Sequence, residues 1–406
     1  MFNWKVLIFI LFIGCTHLYS QEDISPTSTS FNFKWENGFK LKREDGLFSL
    51  NFGGYFFIDH AYLQQNSELS DHYGLLDVKS RTEIRSARLY FSGNVYGNTN
   101  FKFQVDFAGD KVVLKDVYIG ISDIPVIGNF RIGHFKEPFR LSALTSSRNL
   151  IFMEPSSNIY FAQSRNHGAM LFNDFLNKQL SVQIGAFRNA NNNRNYALEE
   201  DGYVVDGRVT GIPLRNNDKK QLLHLGAAYS YRNPSSREYK VSLSPGSHLA
   251  EKYVSNLIDS VEKIDLVNFE TAYVHGPFSI QAEYLNASIT TLGNHLNFSN
   301  YYAELSYFLT GESRNYQGSY EGFGRITPKK NFGSTQNGSG AWEIALKYSK
   351  TDLDDGIIIP GKESQWAAGI NWYLNPVTRV MVNYVRANIE DKGSLNVVQA
   401  RFQLEF

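Results

Sequence analysis

The chain has 406 residues, 40 Lys and Arg against 40 Asp and Glu, one cysteine, and 30 Phe, 24 Tyr and 5 Trp. Balanced charge excludes the cationic excess of a nucleic-acid binder, and a single cysteine excludes an intrachain disulfide framework or a multi-cysteine zinc site. So many rings in a chain of mean hydropathy −0.32 are more than an ordinary soluble enzyme needs.

In chain order, Met1 to Ser20 reads as a secretory signal peptide, with Lys5 at its start, an apolar run from Val6 to Ile13, and Leu18-Tyr19-Ser20 before a cut at Gln21. A lipoprotein signal acylated on Cys15 is the alternative. Residues 21–45 are expected to be an amino-terminal periplasmic lead-in, polar and rich in Ser and Thr at first. Beyond the leader no apolar run reaches the length of a spanning helix, but a β-barrel crosses a membrane with strands of about ten alternating residues.

From residue 46 onward the period is two. In the last strand Val398, Ala400, Phe402, Leu404 and Phe406 share one face, and Gln399, Arg401, Gln403 and Glu405 the other. Similar alternation predicts about sixteen strands, starting near 47, 83, 101, 113, 129, 167, 179, 203, 221, 264, 278, 300, 341, 365, 377 and 395. The fold class is therefore all-β: a transmembrane antiparallel barrel over residues 46–406. With the last strand running down to Phe406, the short connections at 97–100, 174–178, 275–277 and 375–376 fall on the periplasmic side. The long ones at 64–82, 134–166, 189–202, 233–263 and 351–364 fall outside, the arrangement of outer-membrane barrels. Residues 310–340 break this rule and predict either a missed hairpin or a second segment folded into the lumen. A soluble sandwich also alternates, yet it does not require the apolar-face aromatics near strand ends found at Tyr229, Tyr273, Trp342, Tyr348, Trp366 and Trp372.

Residues 131–156, RIGHFKEPFRLSALTSSRNLIFMEPS, resemble the phosphate-selective porin O/P family through Gly133, Phe135, Lys136, Pro138, Phe139, Leu144, Thr145, Ser146, Ser147, Phe152, Met153 and Glu154. Weaker similarities run from about residue 46 to the end: Gly53-Gly54, Asp59, Arg85, Arg88, Asp106-Phe107, Lys115 to Tyr118, and FLTGESRNY at 308–316. The resemblance implies a homotrimeric sixteen-stranded outer-membrane porin whose long loop, 134–166, folds inward and narrows the channel. It also implies a preference for small anions, phosphate or other oxyanions among them. Tyr55 follows the glycine pair where many members carry arginine, which leaves one basic contributor in doubt. Phe406 would end the strand read by the barrel-assembly machinery, and lipid would be the other partner.

By parity, Lys102, Arg131, Arg232, Lys347 and Arg401 face the lumen, and so do Asp106, Glu270, Glu283, Glu304, Glu343 and Glu405, so the wall alone does not set a sign. Residues 131–165 hold five cations, Arg131, Lys136, Arg140, Arg148 and Arg165, against Glu137 and Glu154. Residues 310–340 add Arg314, Arg325, Lys329 and Lys330 against Glu312 and Glu321. If both segments enter the barrel the constriction is cationic, where a low-dielectric wall strengthens the field. Arg88 is the wall candidate; Arg85, three residues away, should face the other side near the external rim. Solvated charges on ordinary external loops are the competing reading. No cofactor or metal is expected: HExxH, CxxC, GxSxG, Walker and dinucleotide motifs do not occur. The rival functions are a barrel esterase or phospholipase using Ser146 or His134, and a lipid-anchored β-rich surface binding protein.

Overall fold

The computed structural model describes residues 30–36, 38–190, 202–333 and 337–406; the expected signal peptide and Cys15 lie outside them. Sixteen strands form the wall. They are β1 Phe48–Gln65, β2 Ser80–Val95, β3 Thr99–Asp106, β4 Val113–Ile124, β5 Gly128–Lys136, β6 Arg165–Phe175, β7 Leu180–Arg188 and β8 Tyr203–Asn216. The second half is β9 Gln221–Asn233, β10 Val261–His275, β11 Phe278–Thr291, β12 His295–Phe308, β13 Ala341–Asp352, β14 Lys362–Asn375, β15 Thr378–Ile389 and β16 Gly393–Glu405. Each pairs antiparallel with the next, and β16 returns to β1 from Leu395↔Gln65 to Glu405↔Tyr55. Closure matters because lipid offers no partner to an open edge.

The alternation is inverted relative to a soluble protein. On β16, Val398 and Phe402 are exposed on the outer surface while Gln399, Arg401, Gln403 and Glu405 are buried inside. Phe269, Ile344 and Trp366 face outward, whereas Arg208, Glu270, Glu283 and Glu343 face inward. A sandwich would bury the first set and expose the second. Two cross-strand aromatic pairs mark the band on β13 and β14: Trp342 with Trp372 at 5.1 Å and Tyr348 with Trp366 at 4.7 Å. The six-residue interval between them spans about 20 Å at strand rise, close to the height of an outer-membrane apolar band.

Two glycines seat the chain terminus. Gly54 N and Phe406 O, and Phe406 N and Gly54 O, are 2.9 Å apart. A Cβ on Gly53 would lie 2.6 Å from Phe406 O, and one on Gly54 2.5 Å from the Phe406 ring. Below this point β1 pairs instead with an amino-terminal hairpin, Phe31–Trp35 and Phe39–Arg43, through Phe39↔Phe52. That hairpin adds two short strands to the sixteen expected from the alternation.

Periplasmic turns are two to four residues long, with one exception. Between β12 and β13, residues 316–323 rise into the lumen. A short hairpin, Tyr316–Gly318 with Gly322–Phe323, is the only paired structure of its own among the described residues of this connection, apart from the bridge Phe332↔Gly338. Tyr316 Oη meets His224 Nδ1 at 2.9 Å, and Arg208 Nη1 donates to Ser319 O at 2.8 Å. From the outside, residues 137–164 and 234–260 enter as well. The second carries a hairpin, Tyr239–Leu243 with Val254–Ile258. Its Val241, Leu243 and Val254 join Phe139, Phe152 and Phe161 of the first loop against the wall residues Leu63, Leu266, Leu285 and Val397 in one apolar core. Each such side chain contributes roughly 1.5–3 kcal/mol when fully buried. The connection 233–263, expected as a plain external loop, thus carries a hairpin whose alternation spans only five residues per strand.

Candidate functional site: a basic passage through the lumen

The long loop is held by the wall that it crosses. Glu270 accepts from Leu141 N at 3.0 Å and Glu283 from Ser142 N at 2.7 Å, which fixes the first turn of the short helix Leu141–Leu144. Farther on, Arg379 Nη1 donates to Leu150 O at 2.7 Å, Asn371 Nδ2 to Ile151 O at 3.0 Å, and Met153 N to Asn383 Oδ1 at 2.8 Å. These anchors lie on β10, β11, β14 and β15. The insert from below packs on the same side, with Phe323 against Leu141, Ala272 and Val274.

What stays open is a cavity of about 610 Å³ along β1 to β7, with Arg401 of β16 at its edge. Its wall carries Arg85, Arg88, Lys102, Lys115, Arg131, Lys136, Arg165 and Arg401, and the loop adds Arg148. Asp116 and Glu321 are the only acids in the lining, so nine cations face two carboxylates. Acids just behind the surface offset part of this charge. Asp106 accepts from Arg88 at 2.7 Å and lies 3.5 Å from Lys115. Asp116 holds Lys102 at 2.8 Å and Arg165 at 2.7 Å; Glu405 holds Arg148 at 2.9 Å; Asp59 holds Arg401 at 2.6 Å. Arg85 has Glu83 at 3.9 Å and Glu154 at 4.0 Å, so counting Asp59, Glu83, Asp106, Glu154 and Glu405 with the two lining acids gives nine cations against seven carboxylates, still an excess of two.

The residues expected from sequence separate into three groups. Arg88, Arg131, Lys136, Arg148 and Arg165 line the cavity, as do Pro138, Ser146 and Ser147. Lys136 also donates to Leu144 O at 2.7 Å and Thr145 O at 3.1 Å, tying the loop to its own strand. Arg140 departs from expectation: it is 1% exposed, it does not line the cavity, and it donates to the Asn158 and Ala162 carbonyls inside the loop. Burial, with Arg232 nearby, pulls its guanidinium down to about 10. Arg314 and Arg325 belong to the insert and lie outside the lining; Arg314 stacks on Phe323 at 3.9 Å and Arg325 donates to Glu405 at 2.5 Å.

The remaining motif residues are packing and turn devices. Gly133 has φ +138°, and a Cβ there would strike Val117 O at 2.3 Å. Phe135 packs edge-on to Phe187 at 5.4 Å, and Phe139 and Phe152 are core. Thr145 Oγ1 donates to Leu141 O at 3.0 Å. Glu154 contacts His248 of the second external loop, whose other nitrogen reaches Glu83. Burial alone would raise the Glu154 carboxyl, but the His248 hydrogen bond and the Arg85 charge outweigh it and hold it at about 2.

Arg85 corrects the parity argument. Phe57 pairs with Ser86 but Ile58 with Ile84, so Arg85 is the extra residue of a bulge and turns into the cavity beside Arg88. Ile84 and Leu89 both face outward at an odd spacing, a signal of the bulge that the sequence already held. The His134 and His167 rings lie 4.9 Å apart between centroids, but His134 is buried against Lys115 O, and no group of metal-binding side chains occurs among the described residues.

Residues 64–406 match the family described as phosphate-selective porin O and P. The chain belongs to that family. Porin O of Pseudomonas aeruginosa is 23% identical over 399 residues, covering 88% of this chain and 87% of that protein. Among solved structures, an anion-selective porin from Comamonas acidovorans aligns with a TM-score of 0.55 at 14% identity, covering 88% of this chain and 100% of that one. In-vitro folded OmpT of Vibrio cholerae, in a trimer form, aligns at 0.54 and 12% identity, over 88% and 99%. The phosphate-selective porin family and the sixteen-stranded closed wall together make this an outer-membrane porin.

Proposed function

We propose that this porin passes small anions by passive diffusion, with phosphate and related oxyanions as its preferred cargo. The observation that carries the reading is the sign of the open passage, where nine cations meet two carboxylates in the lining. Arginine suits such a path, because its planar donors hand an oxyanion from one site to the next while staying charged at any working pH. Several moderate sites admit and release an ion faster than one tight site. The channel acts as a homotrimer that contacts lipid and the assembly machinery through the Phe406 strand, and the channel reading is supported over a barrel esterase by the partners of the two candidate residues: Ser146 Oγ accepts from Arg148, and His134 is turned to a backbone carbonyl.

Reversal potentials across planar bilayers in a KCl gradient test the sign, and phosphate inhibition of chloride current tests the cargo. Anion-selective current blocked by phosphate is expected. Cation-selective current would reject the reading.

A further inference from the structure

Arg131 stands apart from the other cations of the passage. Its partners among the described residues are rings: Tyr118 at 4.2 Å, Phe172 at 5.2 Å and Phe135 at 5.5 Å from the guanidinium carbon. No carboxylate pairs with it, and its buried Nε has no hydrogen-bond acceptor. Arg88, Lys102, Lys115, Arg148, Arg165 and Arg401 each lie within 3.5 Å of a carboxylate oxygen, and Lys136 gives its ammonium to two loop carbonyls. Stacking on rings holds a guanidinium in place without neutralising it or occupying its in-plane donors.

A second orphan lines the same cavity. Gln183 of β7 is 2% exposed and its Nε2 has no partner. Ser147 Oγ on the long loop is a third unpartnered polar atom in the lining. Buried polar atoms are nearly always satisfied, so such a set in one cavity points to something that is not protein, and of the three only Arg131 and Gln183 lie on wall strands, at their periplasmic end. The register relates them: Arg131 pairs with Met170 on β6, and Phe172, two residues on, pairs with Gln183 on β7. Two strand spacings are about 10 Å, a gap that an arginine and a glutamine side chain close from both sides over Met170. Arg131 lies only three residues above the periplasmic start of β5, below the loop tied at Lys136. Tyr320 of the periplasmic insert caps this end, packed edge-on to Phe172 at 4.6 Å. The nearby Asp174 is occupied by the hydroxyls of Tyr320 and Ser181.

We propose that Arg131 and Gln183 form an oxyanion subsite on the periplasmic side of the constriction, the last station an anion occupies before release. The proposal rests on the anion-porin reading above. The ligand class is a tetrahedral or planar oxyanion with oxygens enough for a charged fork and one amide, such as phosphate, arsenate or sulfate; halide lacks the second acceptor. Arg131 is the specificity-determining contact, Gln183 its partner, and the ring floor keeps both aimed into the water column.

The test is phosphate inhibition of chloride current through purified wild-type, Arg131→Gln, Arg131→Lys and Gln183→Leu channels in planar bilayers. Losing one charge-assisted contact should raise the half-inhibiting phosphate concentration about tenfold for Arg131→Gln. Arg131→Lys should fall between, keeping charge but losing the fork, and Gln183→Leu should weaken phosphate inhibition severalfold. Heat-modified gel mobility selects the variants that fold. Arsenate soaked into crystals should give anomalous density between the two side chains. Unchanged phosphate inhibition in folded Arg131→Gln, or arsenate only elsewhere in the passage, overturns the subsite. Cation-selective wild-type current would instead overturn the parent reading.

Discussion

Arg140 and Arg148 sit eight residues apart in one loop and do opposite work. Arg148 lines the water path, its guanidinium over Tyr55 at 5.0 Å and bonded to Glu405. Arg140 is sealed inside the loop, where it satisfies two carbonyls. Arg148→Glu should cut the anion-to-cation permeability ratio severalfold, since it both removes a cation and leaves Glu405 less compensated; reversal potentials read this directly. Arg140→Ala should leave selectivity near wild type but orphan the Asn158 and Ala162 carbonyls, at about 1–3 kcal/mol each, lowering the temperature at which the folded form disappears on gels. Local charge counts cannot separate these residues, because both occur in the same cationic stretch. The difference comes from partners distant in sequence: Glu405 lies 257 residues beyond Arg148.

Strands were legible where one physical rule acted alone. A wall between lipid and water enforces period two over 8 to 18 residues, so the expected starts near 47, 113, 203, 221, 278 and 341 fall within one residue of β1, β4, β8, β9, β11 and β13. The bulge at Arg85 and the hairpin in 234–260 were not read, since one extra residue or five alternating ones are faint against loop composition. That second loop is tied down by His248, which bridges Glu154 and Glu83. The tie has a pH signature. Glu154 falls from an ordinary 4.5 to about 2 in the fold; a depressed carboxylate stabilises the folded state fully above about pH 4.5 and progressively less as pH falls toward 2. The shift corresponds to roughly 3 kcal/mol. Glu154→Gln should therefore melt at lower temperature than wild type at pH 6, and the gap should close as pH approaches 2. A gap independent of pH would place the stabilisation elsewhere.

At the scale of the molecule, a chain with 40 bases and 40 acids acquires a polar passage by segregating them. Glu270 and Glu283 anchor the long loop, Glu343 receives Asn371 and Tyr373 on the same packed side, and Glu270 also receives Arg208 and His224. These acids, with Arg208 and Arg379, hold the filled half of the lumen together, while along the open half the bases outnumber the acids. Net charge says nothing about such a protein; the division of the lumen does. Selectivity of this origin is electrostatic and must follow ionic strength. The Debye length is about 10 Å at 0.1 M and about 3 Å at 1 M, so in dilute salt the field of the lining cations overlaps across the passage, and in concentrated salt each acts only on an ion beside it. The anion-to-cation permeability ratio should therefore be largest in dilute KCl and fall steeply toward 1 M. Phosphate inhibition, which depends on direct contact with charged donors, should weaken less over the same range. Equal loss of both would mean that phosphate is held by the diffuse field alone, and retention of full selectivity at 1 M would mean that contact, rather than the summed charge of the wall, selects the ion.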